Sequence, residues 1–446
     1  MVKRSLAVIL GLVAATATTA ARANPLETLG FGSREIALGG AVSADIEDPT
    51  ATFYNPAGLA RGSQLRIAAG YMRLQSALEI DEQSSVVDPI AGMNLGIVAP
   101  LEIGPTRIAF GLGVHLPDQR ISRTRSVLLD HPRWELYDTR PHKIFLSTAL
   151  AFEPTRYLRF GGGITFQSPA QLALTLRGNA DFSSPEASAL EHEFRGNLLS
   201  VRYPHAGVQI DLMDELAFGL SYRGRLRIAT QLEATVDGDI VGIGAPVPVD
   251  FSLRNQGVTA YFPQQIVLSL AARPIPALRI GFDLTFMDWS GHPSLIANDE
   301  VSLSLMLPPG LGISLPSEIR GRKPIPMHMH DRWVPRIGVE YSAVDSSRYG
   351  VDLRAGYVLE RSPFPVQSGA TNFVDNTRHS MSLGAGLEFR DLEPTLDGSV
   401  RIDAHFLYAY LPERVHQKSS PIDPVGDYTS RGHQFGFGLQ AEVLFE

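Results

Sequence analysis

The feature that most constrains this fold is a strict alternation of apolar and polar residues, which persists over runs of ten residues or more. The C-terminal run shows it well: Phe435, Phe437, Leu439, Ala441, Val443 and Phe445 alternate with Gln434, Gly436, Gly438, Gln440 and Glu442. Successive side chains of a β-strand point to opposite faces. Each such run therefore predicts a strand that separates an apolar from a polar environment.

The alternation predicts fourteen strands. They lie at about 65–74, 91–101, 106–117, 142–153, 157–177, 196–212, 215–237, 249–273, 277–289, 330–344, 348–360, 378–390, 398–411 and 430–445. Tight connections, such as 102–105 and 345–347, alternate strictly with long ones, such as 118–141, 178–195 and 290–329. This asymmetry is typical of a transmembrane barrel with short periplasmic turns and long outer loops.

A soluble sandwich would also alternate, with its polar residues outside. The length of the strands, the Gly, Ser and charge on the polar face, and the alternating connections favour the membrane barrel instead. A mean hydropathy of zero agrees, because a barrel distributes its apolar residues in alternation. An even number of strands in a closed ring also leaves no unpaired edge in lipid.

Residues 1–23 have the form of a secretory signal peptide. Lys3 and Arg4 precede a short apolar run, and Ala21-Arg22-Ala23 has the small-x-small form of a cleavage site. Cleavage there would take the net charge from −8 to −11, and an acidic chain of this kind argues against nucleic acid as a partner. The chain has no cysteine, so neither a disulfide framework nor a lipid-anchor cysteine is predicted.

Residues 24–64 fit no barrel strand. The segment is rich in Gly and Ala and ends near Asn55-Pro56-Ala57-Gly58. Because a barrel of fourteen strands has room inside, we interpret this segment as a hatch, or plug, within the lumen, ahead of the barrel at 65–446. A flexible leader is the alternative interpretation.

The hatch motif Asn55-Pro56-Ala57-Gly58, preceded by Asp48-Pro49-Thr50-Ala51-Thr52-Phe53-Tyr54, resembles the FadL/TodX family of outer-membrane transporters of long-chain fatty acids and aromatic hydrocarbons. Three later segments resemble the same family in the right order: Phe218-Gly219-Leu220-Ser221-Tyr222-Arg223, Asp288-Trp289-Ser290, and Arg336-Ile337-Gly338-Val339-Glu340-Tyr341 with the segments that follow it. The similarity spans nearly the whole mature chain. One departure is the C-terminus, where Phe445 is followed by Glu446 although such barrels often end on an aromatic residue.

The resemblance implies an all-β, 14-stranded antiparallel transmembrane β-barrel in the bacterial outer membrane, with the N-terminal hatch inside. It also implies passive transport: a ligand lands among the outer loops, binds in the barrel top near the hatch N-terminus, and leaves sideways through a gap at the third strand. The expected partners are hydrophobic small molecules (fatty acids or aromatic hydrocarbons) and the lipid and lipopolysaccharide of the membrane. The family leads us to expect a monomer.

Candidate substrate-binding residues follow from position and from the resemblance. Leu26, Leu29 and Phe31 lie at the hatch N-terminus, with packing inside the hatch as the equal alternative. Arg354 lies in the inward phase of its strand, and Glu360 matches an acidic residue that the family has near its pocket. Arg361 and Phe364 complete the set of substrate-binding candidates. Inward charges of barrels also form ion-pair networks, which is the competing interpretation for these charged residues.

The candidate lateral gate is formed by Gly111, Gly113 and Pro117 of the third strand. Proline cannot donate to the ladder and glycine weakens strand packing, so bulges and gaps collect at such positions. A strand that simply ends in a proline is the alternative.

No enzyme, cofactor or metal site is predicted. The chain has no Gly-x-Ser-x-Gly elbow, and His328-Met329-His330 with Asp331 lacks a further well-spaced ligand. Two other functions remain open at this stage. A surface adhesion or binding barrel would use the long loops, and a general porin would need an open lumen, against which a plug argues.

Overall fold

The computed structural model describes residues 30–118, 130–138, 144–167, 170–181, 183–198, 200–241, 247–294, 298–305, 318–320, 324–394 and 396–445. Its dominant element is one large antiparallel sheet. With strands numbered in chain order, its members are β1 (Leu65–Ile80), β3 (Ile90–Ile103), β4 (Thr106–Pro117), β5 (Phe145–Thr155), β6 (Leu158–Gln167), β9 (Val201–Met213), β10 (Leu216–Arg223), β13 (Gln265–Ile275), β14 (Leu278–Met287), β17 (Arg332–Asp345), β18 (Tyr349–Glu360), β19 (Arg378–Phe389), β20 (Gly398–His416) and β21 (Tyr428–Phe445).

These fourteen strands close into a ring. β1 pairs with β21 from Leu65 opposite Phe445 onward, and its other edge pairs with β3. Every other neighbour in the ring is also antiparallel, so no edge of the ring is left open. The predicted closed barrel of fourteen antiparallel strands is confirmed. A short strand, β2 (Gln83–Ser85), adds to β1 outside the ring.

The two faces of the wall are inverted relative to a soluble protein. Large apolar side chains are exposed on the outer face: Leu383 is 62% exposed and Phe437 is 54% exposed. Polar side chains on the inner face are buried, among them Gln209, Asp283 and Gln434. An apolar outer face of this kind suits lipid, in which its burial is favourable. The predicted outward direction of the apolar rows is therefore confirmed.

A second sheet of six strands lies beyond the end of the barrel that carries the long connections, which is the extracellular end. Its strands are β7 (Ala170–Asp181), β8 (Ala189–Leu198), β11 (Leu226–Val241), β12 (Val247–Phe262), β15 (Asn298–Leu305) and β16 (Glu318–Arg320), in the order β16-β15-β12-β11-β7-β8. Only the β7–β11 pair is parallel. We call this element the extracellular sheet.

Four of the predicted strands have the wrong bounds, because the extracellular sheet was not predicted. The predictions 157–177, 196–212, 215–237 and 249–273 each join a barrel strand to a strand of the extracellular sheet, and the predicted loops 178–195 and 290–329 contain β8, β15 and β16. The error has a physical cause. Both sheets have one apolar and one polar face, so the same alternation runs through the junction and does not mark where one sheet ends.

The N-terminal segment, residues 30–64, begins with two short helices, α1 (Ser33–Ala37) and α2 (Ala51–Tyr54), and a 3-10 helix at Pro56–Ala60. Gly32 before α1, and Gly39 and Gly40 after it, have positive φ angles of 86°, 62° and 73°, which glycine adopts without strain. Proline at the first position of the 3-10 helix has the φ angle that the turn requires.

This segment contacts the inner face of the wall chiefly at glycines. A β-carbon on Gly281 would lie 2.2 Å from the carbonyl oxygen of Ala41, and one on Gly338 would lie 2.4 Å from that of Leu38. Comparable close approaches occur at glycines of nine barrel strands: β3, β4, β6, β9, β10, β14, β17, β18 and β19. The wall strands have glycine, which carries no side chain, at the positions where the N-terminal segment lies closest to them.

One outer-loop segment folds back over the extracellular end of the barrel. It contains the short helix α3 (Glu135–Asp138), and Arg133 forms an isolated bridge with Phe373. Trp134 and Tyr137 are buried there, against residues such as Leu411 and Tyr428. A further 3-10 turn lies at Pro185–Ala187. Of the helices described, none is long and apolar enough to cross a membrane.

Candidate binding cavity

A cavity lies between the start of the N-terminal segment and the inner wall of the barrel. It encloses about 600 Å³ of unfilled space, part of which is open to solvent. Its walls are formed by Gly30, Ile36, Gly39, Gly40, Phe53 and Tyr54 of the segment and by Arg223, Arg336, Val358, Glu360, Arg378, Ser380, Ser382 and Leu407 of the strands.

Three arginines and one glutamate line this cavity, so its wall is cationic. Nε of Arg378 donates to Glu360 at 2.7 Å, and Arg332 outside the cavity pairs with the other oxygen of Glu360 at 3.1 Å. Arg336 donates to the Thr285 hydroxyl at 3.2 Å. Within the described residues, no carboxylate lies within 4.0 Å of the guanidinium of Arg336. This guanidinium can therefore take an anionic ligand without giving up an ion pair.

Arg223 approaches the cavity from the opposite wall. Its guanidinium carbon lies 4.3 Å from the centre of the Phe53 ring, and it donates to Gln265 at 2.8 Å. The ring of Phe53 in turn packs edge-on against Tyr54, at 4.8 Å between centroids. Arginine stacked on an aromatic face keeps its charge while shedding part of its hydration shell. The cavity thus combines an aromatic floor with cationic walls.

A buried apolar cluster adjoins the cavity on its extracellular side. Val358 lines the cavity and also packs against a buried cluster of Tyr261, Met287, Trp289, Met327, Met329, Val334, Phe364 and Phe373. Leu136 of α3 packs on the same cluster from above. Methionine side chains are flexible and adapt to ligands of varied shape. The side chains of this cluster can therefore rearrange around an alkyl chain more readily than those of a rigid aliphatic core could.

Hydrogen bonds hold the loop segment with α3 over this cluster. The backbone N–H of Val374 donates to Arg133 at 2.8 Å, and the Tyr137 hydroxyl donates to Asp375 at 3.2 Å. Burial raises the pKa of Asp375, and nearby arginine charges oppose that effect. Burial, followed by the charge of Asp375, also raises the pKa of Tyr137, which keeps this hydroxyl a donor. The loop segment thus covers the apolar cluster in this structure.

The structure brings only part of the predicted substrate-binding set to the cavity. Glu360 lines it directly, and Phe364 is buried in the adjoining apolar cluster. Phe31 packs edge-on against Phe53 and Phe145, one layer behind the cavity wall. Arg361 is exposed. Leu26 and Leu29 lie outside the described residues.

Arg354 is not part of the cavity wall but the centre of an ion-pair cluster. Its side chain is completely buried and pairs with Glu340 at 2.6 Å, Asp403 at 2.6 Å and Asp352 at 3.1 Å. Arg34 of α1 pairs with Glu340 at 2.9 Å and so joins the N-terminal segment to this cluster. The inward phase of Arg354 was predicted correctly. Three neighbouring carboxylates occupy its guanidinium, so a ligand has no access to it.

The predicted hatch motif holds the segment to the wall. The Asn55 side chain accepts from the N–H of Ala57 at 3.2 Å and donates to Ser43 and to Val208 of β9. A β-carbon on Gly58 would lie 2.1 Å from the carbonyl oxygen of Ile46. Asn55, Pro56 and Gly58 together form a turn, and a side chain at position 58 would disrupt that turn.

The three predicted gate residues lie on β4, where the ladder is continuous. β4 pairs with β3 from Thr106 to Pro117 and with β5 from Arg107 to His115, without a register shift. The β5 pairing ends before Pro117. Gly111 and Gly113 face the N-terminal segment: added β-carbons would lie 2.5 Å from Leu59 and 2.4 Å from Thr52, respectively.

The sequence analysis missed the three cavity arginines. Arg223 is the last residue of β10 and Arg378 the first of β19, and both are in the inward phase at extracellular strand ends. That position was a usable signal, because an inward arginine near the barrel top can face a pocket. Their convergence with Arg336 depends on the curvature of the ring, which alternation does not encode. The His328-Met329-His330 segment forms no cluster of metal ligands among the described residues.

The fold and the cavity together define a class of protein: a transmembrane β-barrel with an occupied lumen and an amphiphilic internal cavity. Residues 11–445 match the family model described as outer membrane protein transport protein (OMPP1/FadL/TodX). The chain belongs to this family, whose members are outer-membrane transport proteins and not enzymes. It is accordingly an outer-membrane protein.

Three relatives illustrate the similarity. Alkane uptake protein A of Marinobacter nauticus is 22% identical over 93% of this chain and 89% of its own length. The crystal structure of a Pseudomonas aeruginosa FadL homologue matches with a TM-score of 0.56 at 14% identity, covering 93% of this chain and 98% of that one. The P. putida toluene transporter TodX matches with a TM-score of 0.53 at 16% identity, covering 94% and 99%. At these identities the solved structures support the fold alone.

Proposed function

We propose that this protein transports long-chain fatty acids, or amphiphiles with the same carboxylate and alkyl chemistry, passively across the outer membrane. The observation that carries the proposal is the cavity wall, in which three guanidiniums accompany a single carboxylate beside an aromatic floor. A buried carboxylate is costly unless cations or donors compensate it. A neutral alkane or toluene would gain nothing from those charges.

The two parts of such a ligand have separate partners. The carboxylate binds between Arg336, Arg223 and Arg378, and the alkyl chain extends past Val358 into the methionine-rich cluster. Each methylene group buried there contributes about 0.8 kcal/mol. A route of this kind bypasses the lipopolysaccharide leaflet, which resists hydrophobic solutes, and movement runs down a concentration gradient.

The test compares two ligands on one variant. Arg336→Gln removes the cavity guanidinium that has no ion-pair partner among the described residues, and its loss should weaken oleate binding by about 10- to 100-fold, the effect of losing a charge-assisted hydrogen bond. Hexadecane binding should stay within about twofold. Arg431→Gln, at an exposed arginine on β21 remote from the cavity, is the matched control. Equal losses for both ligands would show that the cavity does not recognise carboxylate.

We further propose that residues 24–64 act as a hatch and that substrate leaves sideways at Gly111, Gly113 and Pro117. Two observations support this. Side chains of the N-terminal segment pack on the two glycines of β4, and the hydrogen-bonded pairing with β5 ends two residues before Pro117. A shift of the segment would remove packing from β4 close to the position where its pairing with β5 ends.

A chain without cysteine allows this exit to be locked cleanly. Leu112 and Thr148 are directly opposed across β4 and β5, so Leu112→Cys with Thr148→Cys should form a disulfide that halts oleate uptake until a reductant is added. The matched control is Phe282→Cys with Ile337→Cys, an opposed pair on the distant β14–β17 seam. Normal uptake through the oxidised Leu112/Thr148 pair would contradict lateral exit at this seam.

A further inference from the structure

The extracellular sheet has two edge strands, and they differ in length. At one edge lies β16, which has three residues, and at the other lies β8, which has ten. Within the described part of the chain, β8 pairs with β7 alone, so the backbone N–H and C=O groups along its outer side have no strand partner. A long edge strand of this kind is a template for the addition of another strand.

β8 lacks the features that usually keep edge strands from pairing. Short length, proline, lysine and bulges are the common forms of protection. β16 is protected by its shortness. β8 contains neither proline nor lysine, and its register with β7 has no shift along its length. Residues 189–197 are all exposed, and Phe194 near the middle of the strand is 64% exposed. The outer edge of β8 is therefore a suitable surface for strand addition.

The two faces of β8 limit the registers that an added strand can adopt. Phe194 lies directly opposite Leu174 of β7, on the apolar face. Glu193 and Arg195 lie on the polar face, opposite Thr175 and Ala173. Directly paired residues share a face of a sheet. An added strand therefore continues both faces only when its apolar residues are paired with those of β8.

The charges of β8 favour a second copy of β8 as the added strand. When two copies run antiparallel with Phe194 opposite itself, Glu193 of each copy lies opposite Arg195 of the other. This register gives one aromatic pair and two pairs of opposite charge, which are stabilising cross-strand contacts. A shift of two residues places Glu193 opposite itself in one direction and Arg195 opposite itself in the other. Like charges in direct opposition are destabilising, so the register centred on Phe194 is preferred.

The direction of β8 determines where the second copy lies. Two residues separate β6 from β7, and two separate β8 from β9, so the turn at Pro185–Ala187 is the end of this hairpin farthest from the barrel. β8 therefore runs from that turn back toward the membrane. Copies in one membrane have β8 strands that run in the same direction, whereas antiparallel pairing requires opposite directions. A second copy that pairs in this way lies in a facing membrane.

We propose that this protein pairs with a second copy of itself in a facing outer membrane, through antiparallel addition of β8 to β8, and thereby joins neighbouring cells. The two extracellular sheets then form one continuous sheet across the contact. This is a homotypic form of the adhesion function that the sequence leaves open. It goes beyond transport, because none of the residues that line the cavity belongs to β8.

Charge exchange at the edge tests the contact. The full chain is placed in two populations of phosphatidylcholine vesicles with different fluorescent lipids, and fluorescence cross-correlation measures bridging between the populations. Glu193→Arg in both populations should reduce bridging about tenfold, because Arg then opposes Arg195, and Arg195→Glu in both should do the same. One population of each variant should bridge as well as the original chain, because every Arg then opposes a Glu.

A matched control makes the same charge change away from the sheet. Glu82→Arg, at the exposed turn between β1 and β2, should leave bridging unchanged. Restored bridging between the two single variants excludes a folding defect as the cause of their separate losses. Undiminished bridging by either variant alone, or no bridging by the original chain, would overturn the proposal. Neither outcome bears on oleate binding, so the proposed transport function is tested separately.

Disulfide cross-linking tests the register, because the chain has no cysteine. Directly opposed Cα atoms of antiparallel strands lie about 4.5–5.5 Å apart, which is within reach of a disulfide. Phe194→Cys should therefore form a linked dimer between vesicles under mild oxidation. Arg195→Cys should not link to itself, but should link to Glu193→Cys in the other population. Linkage of Phe194→Cys only between chains of one vesicle would overturn the proposal, in favour of pairing within a membrane.

Discussion

Two groups of buried arginines inside the barrel show how one residue type serves two purposes. Around Arg354, three carboxylates lie within 3.1 Å of one guanidinium. In the cavity wall, three arginines accompany one carboxylate, that of Glu360. In the first group each guanidinium nitrogen of Arg354 pairs with a carboxylate, and these ion pairs join strands of the wall. The second has more guanidiniums than carboxylates in its wall and faces open space.

The difference shows that the inward phase alone does not identify a ligand contact. The balance of charge around a side chain decides its role, because a satisfied guanidinium gains little from an additional anion. Three substitutions test this comparison, and they follow in order of decreasing expected effect.

Arg354→Met should destabilise the barrel by about 3–5 kcal/mol, because it leaves Glu340, Asp352 and Asp403 without their shared cation. The measurement is the free energy of unfolding in urea with the protein in lipid vesicles. Arg336→Met, in the cavity, is the matched control and should cost less than about 1 kcal/mol. A similar loss of stability in both variants would show that the two groups of arginines do not differ in how much they stabilise the barrel.

Glu360→Gln should strengthen oleate binding by up to about tenfold, because it removes the cavity's one carboxylate, worth about 1.4 kcal/mol of repulsion at partly screened distances. Titration of oleate into the purified protein measures the change. Asp403→Asn removes a carboxylate from the first group instead, and should leave oleate affinity unaltered. If Glu360→Gln bound oleate more weakly than the original chain, Glu360 would be organising the arginines and not opposing the ligand.

The smallest effect concerns Glu35 of α1, which contacts Arg34, the residue that joins the N-terminal segment to the Arg354 cluster. Burial, followed by the charge of Asp48, raises the pKa of Glu35 well above its usual value, although Arg34 opposes the shift. The pKa of this carboxyl is higher in the folded than in the unfolded chain, where it is about 4.3. Its contribution to the free energy of unfolding is therefore fully present below about pH 4.3 and is lost as pH rises through the folded-state pKa. The melting temperature should therefore fall from pH 5 to pH 9, and this fall should be smaller in Glu35→Gln.

Asp45 provides the opposite control for that pH profile. Burial raises its pKa, but the charge and hydrogen bond of Arg279 outweigh burial and bring the pKa down to about 2. Its stabilising contribution is present above an unfolded pKa of about 3.9 and is lost as pH falls through about 2. Asp45→Asn should therefore leave the slope between pH 5 and pH 9 unchanged.

Much of the fold could be predicted from alternation. Fourteen strands, their order and the lipid-facing rows all depend on a pattern of period two, and that pattern is local. Where β10 ends and β11 begins is not a local property, because Tyr222 and Leu232 continue the same apolar phase in two different sheets.

The cavity was less predictable for a different reason. Glu360 was identified through the family resemblance, and the inward direction of Arg354 through alternation. Whether an inward arginine meets carboxylates or empty space depends on strands far apart in sequence: Arg223 and Arg378 line one cavity although 155 residues separate them. The residue pattern within one strand does not show which residues of distant strands lie beside it.

The glycines of the inner wall have a consequence for assembly. Where the main chain of the leader lies against Gly281, Gly338 and Gly161, each strand offers no side chain that could fill the space by itself. The wall and the N-terminal segment therefore fit each other at the level of backbone atoms, and a side chain at any of these glycines would have to push the two apart.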